Sequence, residues 1–459
     1  MDKDAFIAAV RAAGIVGEGG AGFPAHVKYA ASADTVIANG CECEPLLRSD
    51  RHVLERHAPA VLRALRALTD ATGARRGLLA LKKKHTDLIP MLQDEAAARN
   101  LEIFLLDDFY PAGDEQILVR EVTGKSVPPL GLPLQVQSVV ANVATLADVD
   151  AAMGGNGAAA PMIMKTLTVT GEVKNPSVLR APLGTPLTEC LAACGGPLPA
   201  NPVFILGGPM MGRVLEGVEA LERESVTKTT GGLIVLPGGH YLHLNATRSA
   251  AAMRKRAASA CIQCRACSDL CPRNLIGHPF ETHKVMRSFA AGAELQESHG
   301  PDDTASRPGA AALLCSECGL CEHYACPMGM LPRRINQTVK AALRKANAGY
   351  AGTREIREEA AAWREYRKVP VKRLAARIGL ARYLNLETPY LGELAPREVR
   401  ISLQQHLGKP SLPAVQQGAR VRAGDVIGNI PENALGAMLH ASISGLVTEV
   451  GSAVRITAQ

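Results

Sequence analysis

At 459 residues the chain exceeds one ordinary core, and its 47% hydrophobic content, 43 glycines and 29 prolines describe roughly two to four domains rich in turns and short strands. A formal charge of +7 is carried by scattered Lys and Arg, and aromatic residues are only 3% of the chain, which excludes a stacking, phosphate-tracking nucleic-acid surface. The opening MDKDAFIAAVRAAG has no apolar signal core, and no stretch approaches the roughly 18 apolar residues of a membrane span, so a soluble, cytoplasmic protein is expected.

A short helix is predicted ahead of AAGIVGEGGAGFPAHVK, which places Gly17, Gly19, Gly20 and Gly22 within six positions. Glycines let backbone approach a phosphate or a flat ring closely, and a following helix N-terminus favours the anion. Taken alone, such a loop can equally be a plain turn. Residues 35–39, TVIAN, read as a buried strand, and GCECEPLLRSDR follows its end. Glu42 and Glu44 there suit the hydroxyls of a ribose or ribityl chain. His52, His57 and His85 fall on polar helices or loops and are expected to contact solvent.

The alternation in MKTLTVTGEVKNPSVLRAPLGTPL, then VFILGGPMMG, predicts strands leading into a tight glycine loop. Met210 and Met211 in that loop could lie near a cofactor, but packing is the simpler expectation. Cys41, Cys43, Cys190 and Cys194 have no ligand spacing and read as small buried residues; Cys190 and Cys194 sit i, i+4 on a predicted helix without a third ligand nearby.

The other eight of the twelve cysteines stand in two runs, CIQCRACSDLCPRNL at 261–275 and CSECGLCEHYACPMG at 315–329. Reducing thiol pools oppose disulfides in such a protein, so the asymmetry points to metal. Zinc would need four ligands, usually as two separated CxxC knuckles. Three cysteines at x2 intervals with a fourth before proline match instead the bacterial ferredoxin pattern, in which the fourth cysteine ligates the other cluster. Two [4Fe–4S] clusters are therefore expected, one on Cys261, Cys264, Cys267 and Cys326, the other on Cys315, Cys318, Cys321 and Cys271. The second run has x4 rather than x3 before Cys326, which should alter the local loop.

Beyond the clusters, RKANAGYAGTREIREEAAAWREYRK predicts a charged helix with a solvated face anchored by Trp363. The last segment, from SLQQHLGKPSLPAVQQGARVRAGDVIGNI to LHASISGLVTEV, has short β runs between glycine turns and looks like a barrel-sandwich hybrid of the lipoyl or biotinyl carrier type. No lysine lies between Ile430 and His440, so covalent lipoylation is not expected.

GxGGAGFPxxxK, NxxExEP with a nearby DR, YPAGDE at 110–115 and ANVAT at 141–145 together resemble the flavin- and NADH-binding subunit of respiratory complex I. They resemble more closely the C subunit of the Rnf complex and the cobalamin reductases of propanediol-utilising microcompartments, and the likeness runs through nearly the whole chain. The C-terminal placement of the barrel-sandwich module and the lack of a long Ala/Lys-rich tail favour the cobalamin reductases. This resemblance implies a multidomain α/β and β chain: a Rossmann-like FMN/NADH domain over 1–157, a β-grasp SLBB-type module over 158–248, a helical two-cluster ferredoxin domain over 249–347, a helical linker over 348–397 and the barrel-sandwich hybrid over 398–459.

It also implies FMN contacts from Gly17, Gly19, Lys28, Asn39, Tyr110, Gly113, Asn142 and Thr145, with Gly20 and Gly22 completing the loop. Phe23 and Glu44 would face the nicotinamide nucleotide, with Glu42 near the flavin. Two residues depart from the complex I pattern: Glu18 replaces an arginine, and Ala144 replaces the glutamate of NVET.

The function implied is an NADH-oxidising oxidoreductase passing electrons from NADH through FMN and two [4Fe–4S] clusters to an acceptor, cobalamin being the first expectation. Its partners would be cobalamin or a cobalamin adenosyltransferase, with microcompartment shell proteins if the protein is enclosed. The alternative is an electron-transfer component that serves a protein acceptor. No DxHxxG corrin motif is present, so cobalamin would react at a surface, and no Ser/His/Asp set suggests hydrolysis.

Overall fold

The computed structural model describes residues 1–155, 157–295 and 309–459. The N-terminal domain is built on four parallel strands, Thr35–Asn39, Arg76–Lys82, Glu102–Leu106 and Ser138–Asn142, with Thr35–Asn39 central between Arg76–Lys82 and Ser138–Asn142. Both faces are covered, which is why TVIAN reads as continuously apolar rather than alternating. Val36 and Ala38 pack with Leu79, Leu81, Val139 and Ala141 on one face. Ile37 packs with Leu78, Ala80 and Val140 on the other. The carboxyl ends of Thr35–Asn39 and Ser138–Asn142 therefore lie side by side, with Asn39 directly opposite Asn142. Ligands of open α/β sheets bind outside such strand ends.

Helix Ser49–Ala71 starts beside those ends and is kinked near Pro59, which cannot donate a helical N–H; His57 has non-helical backbone there. The histidine expectation is corrected for two of three residues. His57 is exposed, but His52 is buried with its ring stacked 4.5 Å from Tyr390, and His85 is buried beside Arg51, with Nδ1 at 3.1 Å from the guanidinium.

The β-grasp module is a six-stranded sheet in the order Tyr390–Glu393, Ser177–Pro182, Met164–Gly171, Gly232–Pro237, Pro202–Leu206, Arg213–Glu216. Its outer strand comes from the segment expected to be a helical linker. That expectation is corrected in part: between 348 and 397 helix is confined to short pieces, Glu358–Ala361, Val371–Arg377 and the 3-10 turns Arg364–Arg367 and Ala381–Tyr383, and Trp363 is 63% exposed rather than an anchor. The run instead acts as a strap. Buried Arg364 pairs with Glu121, Lys368 reaches the same carboxylate at 3.0 Å, and Val369–Pro370 pairs antiparallel with Phe109–Tyr110. Helix Val371–Arg377 then packs under Tyr110 in a shared core with Leu374 and Ile378.

The C-terminal module is two small sheets around Val399, Ile401, Ile427, Leu439, Val447 and Ile456. It is fastened to the N-terminal domain. Leu407 N donates to Gly22 O at 3.0 Å, and Gly22 has φ +69 with Gln405 O only 3.1 Å from where a Cβ would stand. Fully buried Lys228, from the β-grasp module, donates Nζ to Gly14 O and to Met438 O at 2.8 Å. Burial pulls its pKa down to about 7. The hairpin between Ile430 and His440 thus serves as a clasp.

A second tie crosses between modules. Glu18 of the glycine loop and Lys165 of strand Met164–Gly171 form an ion pair in which both side chains are 4% exposed. Burial and the Glu18 carboxylate hold neighbouring Asp148 well above the ordinary carboxylate range. Because removing one member strands the other in low dielectric, Lys165→Met is expected to cost about 3–5 kcal/mol, while Glu18→Gln combined with Lys165→Met recovers most of it. Thermal unfolding of the four members of this cycle checks the pair; equal melting of Lys165→Met and the parent would mean that the charges are not buried together.

Candidate functional site

The glycine loop is closed by one backbone hydrogen bond, Gly17 N to Phe23 O at 2.9 Å, and a bridge between Val16 and Pro24. It lies over the carboxyl end of Ser138–Asn142. A Cβ at Gly19 would meet the Asn142 side chain at an ordinary 3.4 Å, and one at Gly20 would meet nothing within 4 Å; neither glycine needs positive φ. The protein's own packing therefore does not require glycine at either place, whereas a flat ring or phosphate laid on the loop would. Thr145 accepts from Glu18 N at 3.0 Å, and Asn142 caps its helix by accepting from Ala144 N at 2.8 Å while donating to Asp50 at 2.9 Å.

Across the cleft, Glu42 is held at φ +22 and accepts from Asp50 N at 3.3 Å and Arg51 N at 3.4 Å, so it caps the start of helix Ser49–Ala71. Asp50 lies next to it. Burial, then the Glu42 charge, pushes the Asp50 carboxyl up to about 8, with Lys165 opposing. Asn39 bridges Gly113 O at 2.9 Å and Cys41 N at 3.1 Å, and Gly113 N meets Cys43 Sγ at 2.5 Å. Lys28 is engaged by Glu115 and by Val140 O at 3.0 Å. Phe23 is half-buried at the loop's far end.

Glu44 points away from this group. One oxygen accepts from Met210 N at 2.8 Å, Gly208 lies flat against its side chain, and the other oxygen has no partner. Burial raises its carboxyl to about 7, opposed by backbone N–H of Met210 and Met211 and by Arg333. Met210 is buried and Met211 is 53% exposed, so the pair divides between packing and surface. Cys190 and Cys194 are buried in the β-grasp core, as small apolar residues would be.

FMN suits this cleft on the structure's own terms: an open glycine cradle stands over two strand ends, faced by half-buried carboxylates and amides. Gly17, Gly19, Gly20, Asn142 and Thr145 gather at one end, and Asn39, Glu42 and Gly113 at the other.

The cysteines fall into two neighbourhoods. Cys267 lies among Cys261, Cys264 and Cys326. Cys271 lies by Cys315 and Cys318, and Cys321 by all three. The two loops repeat one backbone pattern: Gln263 and Glu317 at equivalent positions have φ +54 and +62, and Arg265 and Gly319 have φ +64 and +81. Amides turn toward sulfur, with Glu317 N at 3.3 Å from Cys315 and Met330 N at 3.3 Å from Cys326. Among the described residues no three Cys, His, Asp or Glu groups converge on a single point. Ligands of an iron–sulfur cube stand at separate corners. Burial raises the thiols of Cys271, Cys318 and Cys321 above the ordinary range, so iron charge would have to compensate their thiolates. The fourth-ligand spacing x4 is absorbed as a π-helical turn over Cys321–Ala325, where the first run forms an α-helical turn at Ala266–Asp269.

Flavin segment and cluster loop touch. Tyr110 OH donates to Cys318 O at 2.6 Å in a buried contact. Asp114, which also caps helix Glu115–Thr123, receives both guanidinium nitrogens of Arg273 at 2.8 and 2.9 Å. Gly319 is packed 3.1 Å from Met210 O by its Cβ position, and so joins the Glu44 loop. Sequence reasoning does not single out Asp114, Arg273, Lys165 or the Asp50 side chain. The only signals are that Asp50 sits in the DR beside the acidic motif, and that Arg273 follows Cys-Pro.

The Nuo51 FMN-binding domain family matches residues 10–151, the SLBB domain 166–214, the 4Fe-4S dicluster domain 260–331 and the RnfC barrel sandwich hybrid domain 387–459. Cobalamin reductase PduS of Citrobacter freundii is 40% identical over 445 residues, 96% of this chain and 93% of that protein. Its counterpart in Salmonella typhimurium is 40% identical over 446 residues, again 96% of this chain and 93% of that protein. The C component of the Na(+)-translocating ferredoxin:NAD(+) oxidoreductase complex of Acetobacterium woodii is 34% identical over 281 residues, 60% of this chain and 59% of that one. With four domain types in this order and that identity across almost its full length, the chain belongs to the cobalamin reductase PduS family.

Proposed function

We propose that the protein oxidises NADH and passes the electrons through FMN and two [4Fe–4S] clusters to cobalamin. The observation that carries the reading is the 2.6 Å hydrogen bond from Tyr110, in the flavin segment, to the carbonyl of Cys318 in a cluster loop. When bound, FMN exchanges a two-electron hydride for single electrons and the clusters carry those one at a time. The residues do the rest. Gly17, Gly19 and Gly20 with Asn142 and Thr145 hold the flavin, and Asn39, Glu42 and Gly113 orient it. Phe23 and Glu44 receive the nicotinamide nucleotide, Glu44 through the carboxylate oxygen that Met210 N leaves without a partner.

Burial supports an order of flow. Cys271, Cys318 and Cys321 are buried, Cys318 against Tyr110 of the flavin domain, whereas Cys264 is exposed and near Ile262, itself 61% exposed. Cys271, Cys315, Cys318 and Cys321 would hold an inner cluster, to which electrons from the flavin would pass first, and Cys261, Cys264, Cys267 and Cys326 would hold an outer one at the surface. The names of the two full-length relatives support a corrin acceptor, and reduced cobalt is the form a cobalamin adenosyltransferase consumes, so that enzyme is the partner this reading calls for. It would act in the cytoplasm or within a microcompartment holding the B12 enzyme it serves. The likeness to the Rnf component keeps one competitor, a protein acceptor at the same surface; anaerobic turnover with NADH and cob(III)alamin as the sole acceptor separates them.

Protein purified anaerobically is expected to hold about eight irons and eight sulfides. Cys326→Ser should damage the outer cluster and leave NADH-driven reduction of the inner one, seen by EPR, while Cys271→Ser should stop electrons before either reaches the surface. The reverse assignment would mean that the order is wrong. Gly19→Ala leaves the polypeptide room for its Cβ, so folding and iron content should hold while overlap with the flavin costs about 1–3 kcal/mol, weakening FMN about five- to hundredfold in fluorescence titrations. Glu44→Gln should raise the NADH needed to bleach the flavin about ten- to hundredfold, since a hydrogen bond to a charged group is worth roughly 1.5–3 kcal/mol. An unmoved titration would assign Glu44 to the Met210 loop alone.

A further inference from the structure

The π-helical turn at Cys321–Ala325 has an effect beyond absorbing one residue. It turns Glu322 and His323 inward, both nearly inaccessible, to line a cavity of about 150 Å³ with Asn245, Arg333, Arg334 and Gln337. Four buried polar atoms of this lining have no hydrogen-bond partner: both ring nitrogens of His323, Asn245 Nδ2 and Arg333 Nε. The other groups are committed. Arg334 donates its backbone N to Glu322 at 3.0 Å and its guanidinium to Asn245 O, and Gln337 donates to Glu317 at 2.9 Å. Native proteins rarely leave buried donors unused, and here three side chains of one cavity's lining do so.

The unused groups are mostly donors, and the charged lining is two guanidinium groups against one carboxylate. That chemistry selects an oxygen-rich anion, and about 150 Å³ is too small for a nucleotide. We propose that the cavity binds a small oxyanion, of phosphate or carboxylate size, held by Arg333, Asn245 and His323, and that it lowers the reduction potential of the adjacent cluster. The adjacency is direct: His323 follows Cys321 by two residues, and its Cδ2 lies 3.0 Å from the Cβ position of Gly319 in the same cluster loop. Reduction adds negative charge to the cluster, so an anion beside it must bind the reduced protein more weakly. By linkage, tenfold weaker binding corresponds to a potential about 59 mV lower.

Binding stands on the cavity alone, while the effect on potential rests on the cluster assignment proposed above. The test uses the reconstituted holoprotein, with inorganic phosphate and acetate titrated separately by calorimetry and the midpoint potential of the inner cluster followed by EPR. One anion is expected to bind saturably with a Kd near or below about 1 mM. Asn245→Asp, isosteric but negative, should weaken it tenfold or more, and Asn245→Leu, which removes the donor without adding charge, should also weaken it. Iron and FMN contents should match the parent in both. The saturating anion should lower the inner-cluster potential in the parent and not in Asn245→Asp. No saturable binding by about 10 mM would make the cavity a water site and overturn the proposal, as would binding indifferent to both Asn245 variants. Saturable binding without a potential shift would overturn the tuning. Absence of four-iron clusters on analysis would sink the electron-transfer reading instead, leaving the anion titration to decide the cavity.

Discussion

The electron route from flavin to clusters depends on one seam, where residues 110–114 of the flavin domain meet the loop of the inner cysteines. Two bonds define it: Tyr110 to the Cys318 carbonyl, and the bidentate Arg273–Asp114 pair. The second is the stronger constraint, since paired guanidinium and carboxylate planes fix orientation as well as distance. Around them the fold supplies support from unexpected quarters. Val369–Pro370 pairs with Phe109–Tyr110, and Arg364 and Lys368 grip Glu121 on the following helix. A segment rich in exposed charge thereby becomes the backing of the most buried contact in the relay.

The glycine loop is managed similarly. It is left open at Gly19 and Gly20, while Gln405 and His406 pack against it at Gly22. Where the complex I pattern has an arginine, the Glu18 carboxylate is paired with a lysine from another module. Buried pairs of this kind add little net stability but penalise any other docking of the modules, because each charge alone would be stranded.

The chemistry was most legible where it imposes spacing. CxxCxxC with Cys-Pro, the glycines of GEGGAGF and the strand TVIAN could be read directly, because each reflects a local geometric demand. Contacts between distant segments carry no such period. Nothing in Asp114 or Arg273 marks them as partners 159 residues apart, and the Glu18–Lys165 pair spans 147. The run at 348–368 misled for a related reason: its helix-favouring composition is overruled by tertiary pairing, which leaves only the short turns Glu358–Ala361 and Arg364–Arg367. His52 and His85 likewise look like surface residues until Tyr390 and Arg51 arrive from elsewhere. The extra residue before Cys326 was visible, but its conversion into a π-turn carrying Glu322 and His323 inward was not.

The clasp at Gly22 and Gly14 sets a timetable for biosynthesis. The glycine loop leaves the ribosome early, yet Leu407, which bonds Gly22, is made 385 residues later and Met438 later still. At roughly 5–20 residues per second the loop waits on the order of 20–80 s for its backing. During that interval Lys228, which the finished protein keeps wholly from water, has not received its last carbonyl. The backing of the glycine loop is therefore completed at the close of translation, so a nascent chain stalled before the final module carries that loop without its clasp.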